Sequence, residues 1–264
     1  MPVTIGTAHH STPPKRLAPT FALSAELRRR TMHLFHQADL RTDVIELSTE
    51  EAHHASAVLR LAPGTRIGLL DGRGQLAEAE LLTVGKRGCT AQVIVRKAHP
   101  PERAQRIHIA VAPTKQMDRL EWFVEKAVEV GVDRITPIIS ERSERSKLRL
   151  DRLERVAISA MKQSQRTWLP RIDDALKLEQ FLSEELPAQR FFGWCEGEHS
   201  SLMQAYDPTK DALVLIGPEG DFSADEAERL RATGFEAVSI GKARLRTETA
   251  ALTACTWMSL AQQR

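Results

Sequence analysis

The chain is short of several things, and each shortage removes a class of function. Its three cysteines, Cys89, Cys195 and Cys255, lie far apart and form no C-x-x-C pair. A disulfide framework and a structural zinc site are therefore disfavoured, and a reducing compartment fits. Cys195 and His199 have a spacing that two metal ligands could use, but no second pair completes a tetrahedral set, so they read as non-ligands and no metal is expected. No apolar run is long enough to cross a bilayer, so no membrane partner is expected. The phosphate cradles G-x-x-x-x-G-K-[ST] and G-x-G-x-x-G are missing, which disfavours a nucleoside triphosphate or a dinucleotide, and without a G-x-S-x-G elbow a serine hydrolase is disfavoured too. Excess charge is also missing: 37 basic against 35 acidic side chains leave a net charge of +2, so the total alone does not mark a nucleic-acid binder.

The distribution of charge says more than its sum. Between Arg142 and Arg171 stand nine basic residues against three acidic ones. Such a local excess can neutralise phosphates in a near-neutral protein, although a solvated helix face laced with ion pairs has the same composition. Two glycine-bearing segments are more informative still, Ile216-Gly217-Pro218-Glu219-Gly220-Asp221-Phe222-Ser223 and Gly241-Lys242-Ala243-Arg244-Leu245-Arg246-Thr247-Glu248. Each follows a short apolar run and opens onto a helix-like stretch, so both read as loops at the carboxyl ends of strands, where open α/β sheets bind ligands. Glycine lets the backbone approach a ligand, and Pro218 stiffens the first loop. Two such loops fit one flat, polar small molecule.

The organisation divides in three. Residues 1–31, rich in Pro, Ser and Thr and lacking an apolar h-region, are expected to be a disordered extension rather than a secretory signal. Residues 32–99 read as short strands (Val44 to Leu47, Thr65 to Leu70, Leu76 to Thr83, Cys89 to Val95) with one helix from Glu50 to Leu61, the pattern of a small β-barrel or sandwich. His99-Pro100-Pro101 marks a boundary. Over 105–264 strands and helices alternate, the pattern of an α/β domain with a mostly parallel sheet. Ile107 to Val111 and Arg134 to Ile139 are strands there. Between them Met117, Leu120, Phe123, Val124, Ala127 and Val128 recur at helical spacing, with Thr114 as the expected cap and Gly131 as the stop. Ser223 and Glu226 form a capping box, and Gly234 closes that helix. The last helix, Thr249 to Ala261, is apolar almost all round, so it should be buried in the core or against a second subunit.

The pair Gly-Pro-Glu-Gly and Leu-Arg-Thr-Glu-Thr-Ala closely resembles the signature of the RsmE family, ribosomal RNA small subunit uracil-N3 methyltransferases of the SPOUT superfamily. Lys115-Gln116-Met117-Asp118, Glu121, Lys126, Gln163-Ser164, Arg166 and Pro170 extend the resemblance, which covers roughly residues 32–262. Asp221 departs from it, standing where a second glycine is common, as does Ala243-Arg244. The resemblance implies a PUA-like RNA-binding barrel over 32–99 and a trefoil-knotted SPOUT domain over 105–264. It implies a cytoplasmic homodimer, paired through the C-terminal domain, that takes S-adenosylmethionine as cofactor and methylates N3 of a uridine in 16S ribosomal RNA of the small ribosomal subunit. In that reading Leu215, Ile216, Gly217, Glu219, Gly220, Ile240, Gly241, Leu245, Arg246 and Thr247 hold the cofactor. Arg246 steadies the developing uracil anion, Glu248 is a weaker candidate for base or orienter, and Arg60, Lys115, Arg142, Arg145 and Arg166 contact RNA phosphates. An Arg-Thr-Glu at a helix start can also simply cap it and pair with its dipole. Trp168 and His53-His54 read as packing residues.

Overall fold

A computed structural model describes residues 32–85 and 88–263, so the extension expected over 1–31 lies outside the described residues. The first sheet contains β1 (His33–His36), β2 (Val44–Glu46), β3 (Arg66–Leu70), β4 (Gln75–Gly85) and β5 (Gly88–Ala98), in the order β1-β3-β4-β5-β2. Strand alternation builds its core: Ala77, Ala79 and Leu81 turn inward while Glu78 and Glu80 turn out. Small residues of β4 face large ones of β3, with Ile67 opposite Ala79 and Leu69 opposite Ala77, which makes room for both sets of side chains. The expected helix from Glu50 to Leu61 is shorter and widens as it goes. Helix α1 (Thr49–His53), capped by Ser48, passes into a π-helical turn at His54–Val58, and Arg60 at φ 53° ends the segment.

The second sheet is parallel throughout. It comprises β6 (Ile107–Val111), β7 (Arg134–Ile139), β8 (Arg171–Ile172), β9 (Leu176–Lys177), β10 (Gln189–Gly193), β11 (Ala212–Ile216) and β12 (Glu236–Val238), in the order β12-β10-β11-β6-β7-β8, with β9 also pairing with β7. Its helices are α2 (Met117–Val130), α3 (Leu150–Gln163), α4 (Leu178–Leu182), α5 (Leu202–Ala205), α6 (Ala224–Ala232) and α7 (Thr247–Ala261). Every residue of β6 and β11 is buried, because helices cover both faces. Ile107, Ile109, Val111, Val214 and Ile216 pack with α2, α3 and α7, whereas Ala110, Leu213 and Leu215 pack with Phe181, Phe222 and Leu230. Gly131 ends α2 at φ 97°, as its position suggests. Thr114 does not cap that helix; its hydroxyl donates to the Gln116 carbonyl at 2.7 Å, and Gln116 takes the cap position. Helix α7 begins two residues earlier than the sequence suggests, and the chain's own core takes only one side of it: Ala251, Ala254, Cys255 and Met258 are buried, while Leu260 is exposed.

The two sheets are tied by directed contacts. Lys162 of α3 pairs with the buried Glu51 carboxylate at 2.6 Å, and the same oxygen accepts the His36 amide at 2.9 Å. Backbone bonds join Gly74 to the Thr167 carbonyl at 2.9 Å and Leu169 to the Gly72 carbonyl at 2.9 Å, and the Trp168 indole donates to the His99 carbonyl at 3.0 Å. A Cβ at Gly74 would lie 2.6 Å from the Trp168 ring, so the glycine is what admits the indole.

Beneath the sheet lies a buried polar chain. The Thr136 hydroxyl has one proton, which it gives to Asp173, so the His108 Nε2 at 2.7 Å from that hydroxyl is the donor to it. Arg134 and Arg171 hold the Asp173 carboxylate at 2.6 Å each. Burial, reinforced by Arg134, pushes the His108 imidazole from 6.5 down to about 3. An unfolded chain therefore takes up a proton near pH 6.5 that the folded chain refuses until far lower pH. Stability is whole above that pH and falls on acidification, by about 1.4 kcal/mol per pH unit from this group. Urea denaturation between about pH 6.5 and 4.5 checks it: His108→Gln should flatten the slope, and an unchanged slope would remove His108 as its source.

Candidate functional site

Strands β6 and β11 lie side by side, yet β6 continues to β7 on one side while β10 and β12 lie on the other. The crevice at the carboxyl ends of a parallel sheet opens where strand order reverses in this way. The loops that leave β6, β10, β11 and β12 meet there, and α2, α6 and α7 all begin just beyond it. The N-terminal ends of α2 and α7, which no side chain caps, bring backbone amides and partial positive charge to that end of the sheet.

The loop after β11 is held at nearly every residue. The buried Thr247 hydroxyl donates to the Gly217 carbonyl at 3.0 Å, joining the two signature segments directly. The Lys115 amide donates to Glu219 at 3.2 Å, and Arg142 donates to the carbonyls of Gly220 and Phe222 at 2.7 and 3.2 Å. Arg145 in turn donates to the Lys115 carbonyl at 2.8 Å. A Cβ at Gly217 would lie 3.1 Å from the ring of the buried Phe222, which would have to shift by a few tenths of an ångström to admit it. Ser223 and Glu226 form the expected capping box, and Glu226 also accepts the Glu141 amide at 2.8 Å.

The floor of the crevice is apolar. Leu215, Ile216 and Ile240 are buried, and Leu245 is partly so. A Cβ added to Gly193, at the end of β10, would lie 3.2 Å from Ile216 and 3.5 Å from Ile240, so three strand ends abut with no side chain between them. Gly220 and Gly241 are exposed and present bare backbone. Arg246 is exposed at the cap position of α7, whereas Glu248, in the first turn, is buried. Glu248 Oε1 faces Arg119 at 3.9 Å, and its Oε2 has no hydrogen-bond partner among the described residues.

The expected phosphate-binding residues divide. Lys115, Arg142 and Arg145 border the loops, but Arg142 and Arg145 spend their guanidinium groups on backbone carbonyls, and Lys115 pairs with Glu144 at 2.8 Å. Arg166 is elsewhere: it lies against Gly131, donates to the Glu129 carbonyl at 3.1 Å and pairs with Glu102 at 2.9 Å. Arg60 is exposed on the connection into β3. Sequence reasoning missed Arg119 and the whole loop after β10, for which the one available signal was Phe191-Phe192-Gly193 followed by polar residues. Burial and the Asp221 carboxylate push the Cys195 thiol up in that loop, which disfavours its thiolate.

The bond between the signature segments is directly testable. Thr247→Val keeps the shape but leaves the buried Gly217 carbonyl unpaired, which should destabilise the fold by about 1–3 kcal/mol in urea denaturation. A loss within error of zero would show that the contact contributes nothing.

Residues 101–259 match the family model described as an RNA methyltransferase domain, and residues 47–94 match that of an RNA methyltransferase PUA domain. The Ribosomal RNA small subunit methyltransferase E of Mycobacterium bovis is 31% identical over 78% of this chain and 82% of its own length. A crystal structure from Porphyromonas gingivalis, described as a probable rRNA-methyltransferase, superposes with a TM-score of 0.81 and 40% identity over 88% of this chain and 99% of that one. The Neisseria gonorrhoeae Ribosomal RNA small subunit methyltransferase E, solved bound to S-adenosyl methionine, gives a TM-score of 0.79 and 27% identity over 87% of this chain and 98% of that one. Family-model matches to both segments, with this identity to a curated relative, place the chain in the ribosomal RNA small subunit methyltransferase E family.

Proposed function

We propose that this protein transfers the methyl group of S-adenosylmethionine to the N3 atom of a specific uridine in 16S ribosomal RNA of the small ribosomal subunit. The observation that carries the proposal is the convergence of both signature loops on one crevice with an apolar floor and bare glycine backbone at its rim. These features suit a nucleoside-bearing cofactor, and a relative of the same family was solved with it bound. Backbone groups from Leu215 to Gly220 and from Ile240 to Leu245 would read the adenine and ribose, with Ile216, Ile240 and Leu245 against the rings and Arg246 and Thr247 completing the wall. S-adenosylmethionine would supply an electrophilic methyl group there.

The acceptor places its own demands on the chain. N3 of uracil lies on the Watson–Crick edge and carries a proton at neutral pH, so the base must be unpaired, drawn out of its stack and deprotonated. A cation beside the uracil lowers the free energy of its anion, and the exposed guanidinium of Arg246 is the group we assign to that task. Glu248, buried two residues further on, orients Arg246 or accepts the proton. Lys115 and Arg60 would meet phosphates, with Arg142, Arg145 and Arg166 contributing where their side chains can be released from internal partners.

The wider architecture follows the same proposal. Residues 32–99 would be the PUA-like RNA-binding barrel and 105–264 the SPOUT domain, knotted where α7 passes back from the edge strand β12 to pack on β6 and β11. The exposed apolar Trp122 of α2 and Leu260 of α7 would be covered by a second copy in a cytoplasmic homodimer.

Incubation with labelled S-adenosylmethionine and unmodified small ribosomal subunits, followed by digestion of the RNA to nucleosides, should yield 3-methyluridine. Methyl on another atom, or none, would overturn the assignment. Arg246→Ala should lower turnover at saturating substrate by about a hundredfold or more. If both it and Glu248→Gln keep parental turnover, neither side chain has a part in the chemistry.

A further inference from the structure

We infer that Asp221 is a positioning residue whose carboxylate ties the loop after β11 to the loop after β10, and through it sets the gap between the two signature loops. The inference rests on the cofactor site proposed above and adds a residue to it. Asp221 sits at φ 60°, a left-handed conformation that glycine adopts freely and that aspartate tolerates better than most residues. Its amide donates to the Pro218 carbonyl at 2.9 Å, closing the turn. A glycine would make that turn equally well, so the turn does not explain the side chain.

The carboxylate has its own work. Oδ2 accepts the Cys195 amide at 3.1 Å, and Oδ1 accepts the Phe222 amide at 2.9 Å. The first of these bonds crosses from the loop after β11 to the loop after β10. That second loop is laced to the end of β12 and the residue after it: Trp194 donates to the Val238 carbonyl at 3.2 Å, Ser239 to the Ser200 carbonyl at 2.9 Å, and Leu202 to the Ser239 carbonyl at 3.0 Å. Because β10 lies between β12 and β11, its loop is the spacer between Gly217–Gly220 and Gly241. Ile216 and Ile240 close over Gly193 at the floor of this gap, and Asp221 fixes its rim.

The test compares Asp221→Gly, which keeps the left-handed turn and loses both acceptor bonds, with Asp221→Asn, which keeps the turn and one side-chain oxygen. S-adenosylmethionine affinity by calorimetry should weaken about tenfold in the glycine variant and recover most of the way in the asparagine variant. Amide exchange across residues 194–200 should quicken in the glycine variant, while its melting temperature stays within about 3 °C of the parent, since glycine relieves the left-handed backbone. Affinity within about twofold of the parent, or unchanged exchange in 194–200, would overturn the inference. A parent protein that binds no S-adenosylmethionine would instead overturn the cofactor site, and the exchange measurement would still decide whether Asp221 ties the two loops.

Discussion

Much of this molecule is arranged around a constraint on one short loop. Residues 217–222 contain two glycines, and glycine loses more freedom on ordering than any other residue, so ordering this loop carries a high entropic cost. Beside its own turn bond, contacts from four directions hold it: Thr247 at the head of α7, the Lys115 amide after β6, Arg142 after β7 and the Cys195 amide after β10. The parallel sheet makes this possible because it delivers those segments to the same end. The wholly buried β6 and β11 in turn require helices on both faces, which is why α2, α6 and α7 all start at the crevice.

Much of the basic excess between Arg142 and Arg171 is paired with the protein's own acceptors, although most of these side chains stay exposed. Arg142 and Arg145 staple loops, Arg166 packs against Gly131, Lys162 meets Glu51, and Arg171 meets Asp173. Arginine suits such work because its planar fork can satisfy two acceptors at once. A count of positive residues therefore overstates the charge that a polyanion would meet, since a cation already paired displaces fewer counterions.

Elements governed by local rules were legible in the sequence. The strands Ile107–Val111 and Arg134–Ile139, the stop at Gly131 and the capping box at Ser223 each follow from neighbours within a few residues. The two signature segments could likewise be placed at strand ends by the apolar runs before them. What could not be read were the partners. Thr247 meets a carbonyl 30 residues away, Asp221 an amide 26 residues away and Arg142 a carbonyl 78 residues away. Composition shows that such groups can bond, and only the fold decides with whom. Thr114 shows the converse: a residue type that favours a cap was drawn instead to a carbonyl two residues on.

The pairing of Lys162 with Glu51 bears on how the molecule would take hold of anything large. Both side chains are mostly shielded from water, and separating such a pair strands a charge at a penalty of about 3–5 kcal/mol. With the backbone bonds of Gly72 and Gly74, this pair sets the spacing between the two sheets, and any change in that spacing has to break them. A ligand touching both sheets would meet them at that spacing, and the energy of separating them would count against its binding.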